Sequence, residues 1–332
     1  MAGKGERPTI VAALALSFLI LGGGDLAAQK TDLTLPDLAA RLSAMTAVTG
    51  YEQSMVDSLI DLVPGATRDR AGNAVVVLGS GQRRRLAACP VSEPGFVVGS
   101  VRSDGWLTLR RAPGRMPPAV ERQLEGQRVT VFGRGGAVPG VIGVRSIHLT
   151  RGRSVGGDAA FTVDSAYLDI GAATPAELAA AGVGVLSPVA MTKRPQRYGS
   201  DLLAAPMAAR RTACAALVLA ARQAAAEQGM VPRGESDVIA IVVEQELLGR
   251  GLATVANTRG PFAETMVVDG GSGPAGGLVR ATDTLGTRWP ALGKVARWTL
   301  GARYSGTAVE TTSLRGADSL QVALGRWLGG GQ

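Results

Sequence analysis

Between Gly95 and about Val189 the chain changes character, and that change constrains the fold more than any other feature of the sequence. Short apolar stretches divided by Gly and Pro fill this segment: Phe96 to Val101, Trp106 to Leu109, Val129 to Phe132, Val141 to Ile147 and Ala166 to Ile170. Runs of this length and spacing predict the strands of a small β-barrel or sandwich. A short helix is predicted over Pro175 to Ala181. The flanking sequence follows a different pattern. Helical spacing of apolar residues over Leu35 to Val48 and Glu52 to Leu62 leads into strand runs at Ala74 to Leu78 and Leu86 to Cys89. After the break, an Ala-rich helix over Met207 to Gln228 precedes buried strands at Asp237 to Val243 and Thr265 to Asp269. Helices over Thr284 to Leu300 and Ser319 to Leu328 complete the prediction. Strands alternating with helices imply an α/β fold with a largely parallel sheet covered on both faces. The expected division is a signal segment over 1–28, an α/β domain over 29–93 and 190–332, and an inserted β-rich domain over 94–189.

The signal reading rests on Lys4 and Arg7, the apolar run Ile10 to Leu21, three glycines, and small residues at Ala27 and Ala28. That run is shorter than the roughly 18 residues a membrane span needs, so the expectation is export to the periplasm or outside, with no stable span after cleavage. Apolar residues make up 46% of the 332, enough to supply a core.

The net charge of +8 concentrates between residues 83 and 153, where thirteen arginines face only Glu93, Asp104, Glu121 and Glu125. Nucleic-acid binding is not expected, because only Trp106 and Phe132 stand near those arginines to stack on bases. A solvated face, or a surface meeting an acidic partner, is the reading that charge supports. Cys89 and Cys214 form an even pair, compatible with a disulfide in an oxidising compartment or with two buried thiols. The Gly-rich loop Gly270 to Gly277 lacks a P-loop lysine and the dinucleotide spacing, so no phosphate site is assigned to it.

The chain holds one histidine, His148, which is poor material for a metal site. That scarcity matters because several segments, taken in order, resemble the tetrahedral aminopeptidases, the glutamyl or deblocking aminopeptidase family of two-zinc exopeptidases. They are Thr49-Gly50-Tyr51-Glu52; Asp69 with Gly72 and Asn73; Glu93 with Gly95 and Phe96; Gly140 to Gly143 with His148; and Leu168 to Gly171. Gln245 and Glu246 with Arg250 and Gly251, and Arg303 and Tyr304 with Val309 and Glu310, complete the set. The resemblance implies a three-layer α/β/α zinc-exopeptidase-like domain interrupted by a small β-barrel-like domain. It also implies two zinc ions sharing a bridging Asp, each with a His and a carboxylate, and a free Glu as general base on metal-bound water.

Carried across by position, most of those roles fall on residues that cannot fill them. The first zinc His falls on Pro90, the bridging Asp on Ala208 and the last zinc His on Gly306. The base falls on Gln245, an amide without useful basicity. Glu246 and Asp269 remain as ligand types, each with a structural reading beside it: a cap or an Arg partner for Glu246, a turn residue for Asp269. Glu244 as a displaced base is disfavoured, because strand alternation turns it away from the face of Gln245. Asp69 and Asp169 read as turn residues. Cys89, Ser92, Ser187 and Ser305 lack a neighbouring base, and none is assigned as nucleophile.

The resulting expectation is an exported aminopeptidase homologue without catalysis and with no cofactor. It would bind a peptide or protein partner, or serve as a structural subunit of a homo-oligomer. The alternatives are a residual metal-dependent hydrolase at Glu246 and Asp269, and an interaction module working through the arginine-rich insertion.

Overall fold

The computed structural model describes residues 33–143, 161–227, 234–244 and 249–329. The signal segment over 1–28, His148, Gln245 and Glu246 lie outside them. The described chain opens with two helices, α1 (Leu35–Ala44) and α2 (Gln53–Leu62). Thr34 caps α1 by accepting from the Asp37 N–H, and Pro36 takes a first-turn position where no donor is missed.

Strands β1 (Thr67–Arg68), β2 (Ala74–Gly79) and β3 (Arg83–Pro90) follow. The chain then enters the β-rich segment with β4 (Phe96–Val101), β5 (Leu107–Arg111), helix α3 (Pro118–Arg122), β6 (Arg128–Gly133), β7 (Gly136–Ile142) and β8 (Tyr167–Asp169). Helix α4 (Pro175–Ala180) and β9 (Pro188–Met191) complete it. Six of these strands close a barrel in the order β4-β5-β8-β7-β6-β9. Alternation places Phe96, Val98, Leu107, Leu109, Val129 and Val131 inside, where they form the barrel core. The apolar run read as Val141 to Ile147 belongs to a strand that starts earlier, at Gly136, and whose described part ends at Ile142.

A small antiparallel sheet of β10 (Gln196–Tyr198) and β11 (Leu202–Ala204) leads to α5 (Ala208–Ala226). The remaining elements are β12 (Glu235–Val242), α6 (Arg250–Arg259), β13 (Glu264–Ser272), β14 (Leu278–Thr282), α7 (Leu285–Arg288), β15 (Lys294–Ala302), β16 (Thr311–Ser313) and α8 (Leu314–Leu328). The main sheet runs β1-β2-β12-β3-β13-β15-β14, and β16 joins β11 in the small sheet. Its four central strands are parallel, with antiparallel partners toward both edges.

Strand parity divides the sheet's two faces. Leu86, Ala88, Val238 and Ala240 pack with Leu252 and Val255 of α6. The alternate residues face α5, as the bond from Cys89 to Cys214 records, with Cα atoms 5.4 Å apart. α1, α5 and α8 pack against one another on that side. The third layer is therefore α6 with the turns around Leu292.

One expectation is overturned and another is corrected in part. The stretch Thr284 to Leu300 is not a helix: after the single turn of α7, Pro290 and Gly293 break the chain and Lys294 onward forms β15, parallel to β13. Its helical periodicity was accidental, since Val295, Trp298 and Leu300 are buried by a strand. Within the run Arg83 to Arg85, Arg83 and Arg84 are exposed as a solvated face requires, but Arg85 is not. Arg85 is 4% exposed and grips Asp237 with two hydrogen bonds of 2.8 Å, while Arg83 pairs with Glu235.

Candidate functional site

In an α/β sheet, ligands bind beyond the carboxyl ends of the strands. There β3 delivers Pro90, β13 delivers Asp269, and α5 begins at Ala208. Pro90 lies in register with Val242 of β12. Gly270, next to Asp269, allows α5 to approach closely: a Cβ there would sit 2.3 Å from the Arg210 nitrogen.

Two consecutive arginines on the first turn of α5 fill this edge. The Arg210 Nε donates to Asp269 Oδ1 at 2.8 Å, its Nη2 to Oδ2 at 3.3 Å, and its Nη1 to the Ser92 carbonyl at 2.7 Å. Asp269, 8% exposed, also accepts from the Gly270 N–H at 2.8 Å and from Arg297 Nη1 at 3.2 Å. Arg297 continues to Asp283 at 2.6 Å. Arg211 turns the other way, donating to the Val91 carbonyl and, at 2.7 Å, to Glu93 Oε2.

Glu93 is fully enclosed. It pairs with both Lys193 and Arg211 and accepts the Ala47 N–H at 3.0 Å. Burial alone would raise its carboxyl, but the two cations and their hydrogen bonds hold it below the ordinary glutamate range. Burial pushes the Lys193 ammonium down to about 8, against the pull of Glu93, and its Nζ also donates to the Met45 carbonyl at 2.5 Å.

The third buried carboxylate, Glu310, joins the helix start to the turn after β15. Ala209 N donates to its Oε1 and Gly306 N to its Oε2, both at 3.0 Å. Burial raises its carboxyl, with these backbone donors and Ser305 pulling the other way. Glu52 completes the set, accepting from Ser92 Oγ at 2.7 Å and from the Gly50 and Glu244 N–H groups at 3.0 Å. A cavity of about 30 Å³ remains beside Glu93, Lys193, Met207 and Gly306.

The sequence-derived site residues thus sort clearly. Ala208, Asp269 and Gly306 lie within one hydrogen-bonded edge, linked by Arg210 and Glu310, with Pro90 closing the adjacent strand. Asp269 is neither a simple turn residue nor an open ligand, because both its oxygens are held by guanidinium groups. Glu244, at φ +50°, pairs with Arg250 at 3.3 Å. Cys89 is consumed by its disulfide, which settles the choice left open between bond and thiols. Asp69 accepts from Ala71 and Asn73, and Asp169 from Gly171, as turn residues do.

Sequence reasoning missed Arg210, Arg211, Lys193 and Arg297. The adjacent Arg pair in an Ala-rich helix, most of which reads as buried, was the available signal.

A zinc ligand needs lone pairs facing an open coordination position. At this edge the carboxylates of Glu52, Glu93, Asp269 and Glu310 already accept N–H or O–H donors, and Pro90, Ala208 and Gly306 carry no donor side chain. Among the described residues no three His, Cys, Asp or Glu side chains are grouped to hold a metal. The described residues therefore do not fit the two-zinc pattern.

The M42 glutamyl aminopeptidase family profile matches residues 72–277. SgcX of Escherichia coli (strain K12) is 30% identical over 179 residues, which is 52% of this chain and 46% of that protein. The lysyl aminopeptidase of Pyrococcus furiosus is 25% identical over 227 residues, covering 67% of this chain and 62% of the enzyme. The matched stretches thus span about half to three-fifths of these curated relatives. The fold is similar to that of the Pyrococcus horikoshii TET1 peptidase, which assembles into a tetrahedron or a large octahedral shell. That likeness has a TM-score of 0.76 at 18% identity, over 89% of this chain and 99% of the other. The TET aminopeptidase from Thaumarchaeota archaeon SCGC AB-539-E09 gives 0.71 at 17% identity, over 89% and 95%.

These matches correct one expectation. M42 aminopeptidases are metal-dependent, so the expectation of no cofactor is overturned by the family match, and the poor fit of the described donors does not restore it.

Proposed function

We propose that this chain, which belongs to the M42 glutamyl aminopeptidase family, keeps the family fold without peptide turnover and acts as an exported binding or structural subunit. The observation that carries this reading is the occupancy of the carboxylates at the strand ends. In a two-metal hydrolase the bridging carboxylate and the general base must both be open to the reacting groups. Here an alanine stands at position 208 and glutamine at position 245, and Asp269 is clamped between Arg210 and Arg297.

Export is supported by two observations of different kind. The amino-terminal segment has a signal-like layout, and Cys89 and Cys214 are joined, as expected in an oxidising compartment. Self-assembly is supported by the fold shared with a peptidase that builds closed shells. No described helix is long and apolar enough to cross a membrane.

The test is release of amino-terminal residues from glutamyl- and lysyl-initiated peptides by the purified full chain, with zinc or cobalt supplied. No turnover above that of an Asp269→Asn variant is the expected outcome, and metal-stimulated turnover lost in that variant overturns the reading. Light scattering checks assembly, and cell fractionation checks export.

A further inference from the structure

A second concavity, of about 500 Å³, opens between the loop joining α1 to α2 and the rim of the barrel. It contains none of the residues at positions 90, 208, 269 or 306. Its walls are mainly apolar, and Val48, Tyr51, Phe132, Val185 and Leu186 are among the residues that line it. Three of these, Tyr51, Val185 and Leu186, are exposed large hydrophobics.

Leu186 is held there at a cost. Its φ of +68° is a left-handed conformation that β- and γ-branched residues seldom adopt. Both its backbone groups are tied down: its N–H donates to the Val98 carbonyl at 2.9 Å, and its carbonyl accepts the Tyr51 hydroxyl at 3.1 Å. A glycine would sit at this φ without strain, yet the chain carries a leucine whose surface is 61% exposed. Strain that maintains an exposed apolar side chain in a concavity points to contact with something else.

The electrostatics of the concavity narrow the choice. Arg134 is the one charged side chain on its lining, and it makes no ion pair with a described residue. The amino-terminal turn of α2, at Gln53 and Ser54, forms part of the wall and adds positive potential from the helix. Glu52, beside it, is turned inward and consumed by Ser92, Gly50 and Glu244. Among the described residues, the concavity is therefore apolar with a positive end that no carboxylate neutralises.

We propose that this groove binds an extended peptide segment presenting an apolar side chain next to a carboxylate, with Leu186 and Tyr51 against the apolar group and Arg134 on the acid. The proposal deepens the binding role set out above and rests on it only for the partner being a peptide. An arginine, rather than a point-charge lysine, suits bidentate recognition of a carboxylate.

The test is fluorescence anisotropy on the full chain with a labelled hexapeptide carrying adjacent leucine and glutamate. Counterparts have lysine for the glutamate or serine for the leucine. The expected result is at least tenfold weaker binding for either counterpart, and for the Arg134→Glu and Leu186→Gly proteins with the parent peptide. Leu186→Gly relieves the positive φ, so its unfolding midpoint stays at or above that of the parent and misfolding does not explain a loss. Equal binding of all three peptides, or binding untouched by both variants, overturns the groove and leaves a peptide-binding role elsewhere. Absence of binding by all three overturns groove and peptide role together. A lower light-scattering mass for Arg134→Glu would assign the groove to contact between copies, and would also overturn the proposal.

Discussion

The two ends of the central sheet carry the same chemistry, arginine on buried carboxylate, with different arrangements. At the amino end, one arginine serves several carboxylates: Arg85 meets Asp237 edge-on, reaches Glu235 at 3.3 Å, lies over the Trp327 ring at 4.6 Å, and donates to the Leu328 carbonyl at 3.1 Å. At the carboxyl end, Asp269 shares two guanidiniums and Glu93 shares an ammonium and a guanidinium. The first arrangement closes a helix, α8, onto the sheet. The second occupies the edge where folds of this class receive ligands.

The charge balance differs accordingly. With one cation and the like charges of Glu235 and Glu264 nearby, burial prevails and raises the Asp237 carboxyl; with two cations, the Glu93 carboxyl is lowered despite complete burial. One cation shared among carboxylates does not offset desolvation, whereas two cations on one buried carboxylate hold it as an anion.

The largest effect should come from the amino end. Asp237→Ala removes the two shortest hydrogen bonds of the buried Arg85, leaving it Glu235 and the Leu328 carbonyl, and is expected to cost about 3–5 kcal/mol in urea unfolding. A loss below about 1 kcal/mol would show that Glu235 or solvent can replace Asp237 as the partner of Arg85. Next, replacing both Cys89 and Cys214 by serine is expected to cost about 2–4 kcal/mol, given their separation of 125 residues. Arg210→Met should cost less, about 1–3 kcal/mol, because Asp269 retains Arg297 and the Gly270 N–H. If Arg210→Met proves as damaging as Asp237→Ala, the two ends do not differ as described.

The smallest effect is a pH slope. The folded Glu93 pKa lies below its ordinary 4.5, so its contribution to stability is full above that value and is lost as pH falls through the folded one. Urea midpoints followed downward from pH 4.5 should fall less steeply in Glu93→Gln than in the parent. Asp237, shifted the other way, binds its proton first in the folded state and does not add to the acid loss.

The sequence made the architecture largely readable because periodicity reports burial. Phe96, Val98, Leu107 and Leu109 alternate as barrel strands must, and the apolar run of β12 admits little but a central strand. Periodicity failed over Thr284 to Leu300, where a short run can satisfy both spacings and only Pro290 and Gly293 marked the break. At the site, the sequence showed that Pro90, Ala208 and Gly306 carry no donor side chain. The arginines that fill this edge were not legible, because Arg210 and Arg211 meet Asp269, Ser92 and Glu93 across 59 to 118 residues of sequence. The arginine-rich stretch over 83–153 likewise read as a solvated face, and Arg85 within it is buried.

One consequence of the Cys89–Cys214 bond concerns cleavage rather than folding. Every strand of the barrel, from Phe96 to Met191, lies inside the loop that this bond closes. A protease cutting an exposed barrel turn therefore severs the backbone without separating the molecule, and both pieces stay attached until a reductant reaches the sulfurs. Nicked and intact protein would run together on a gel without reductant and part only when it is added.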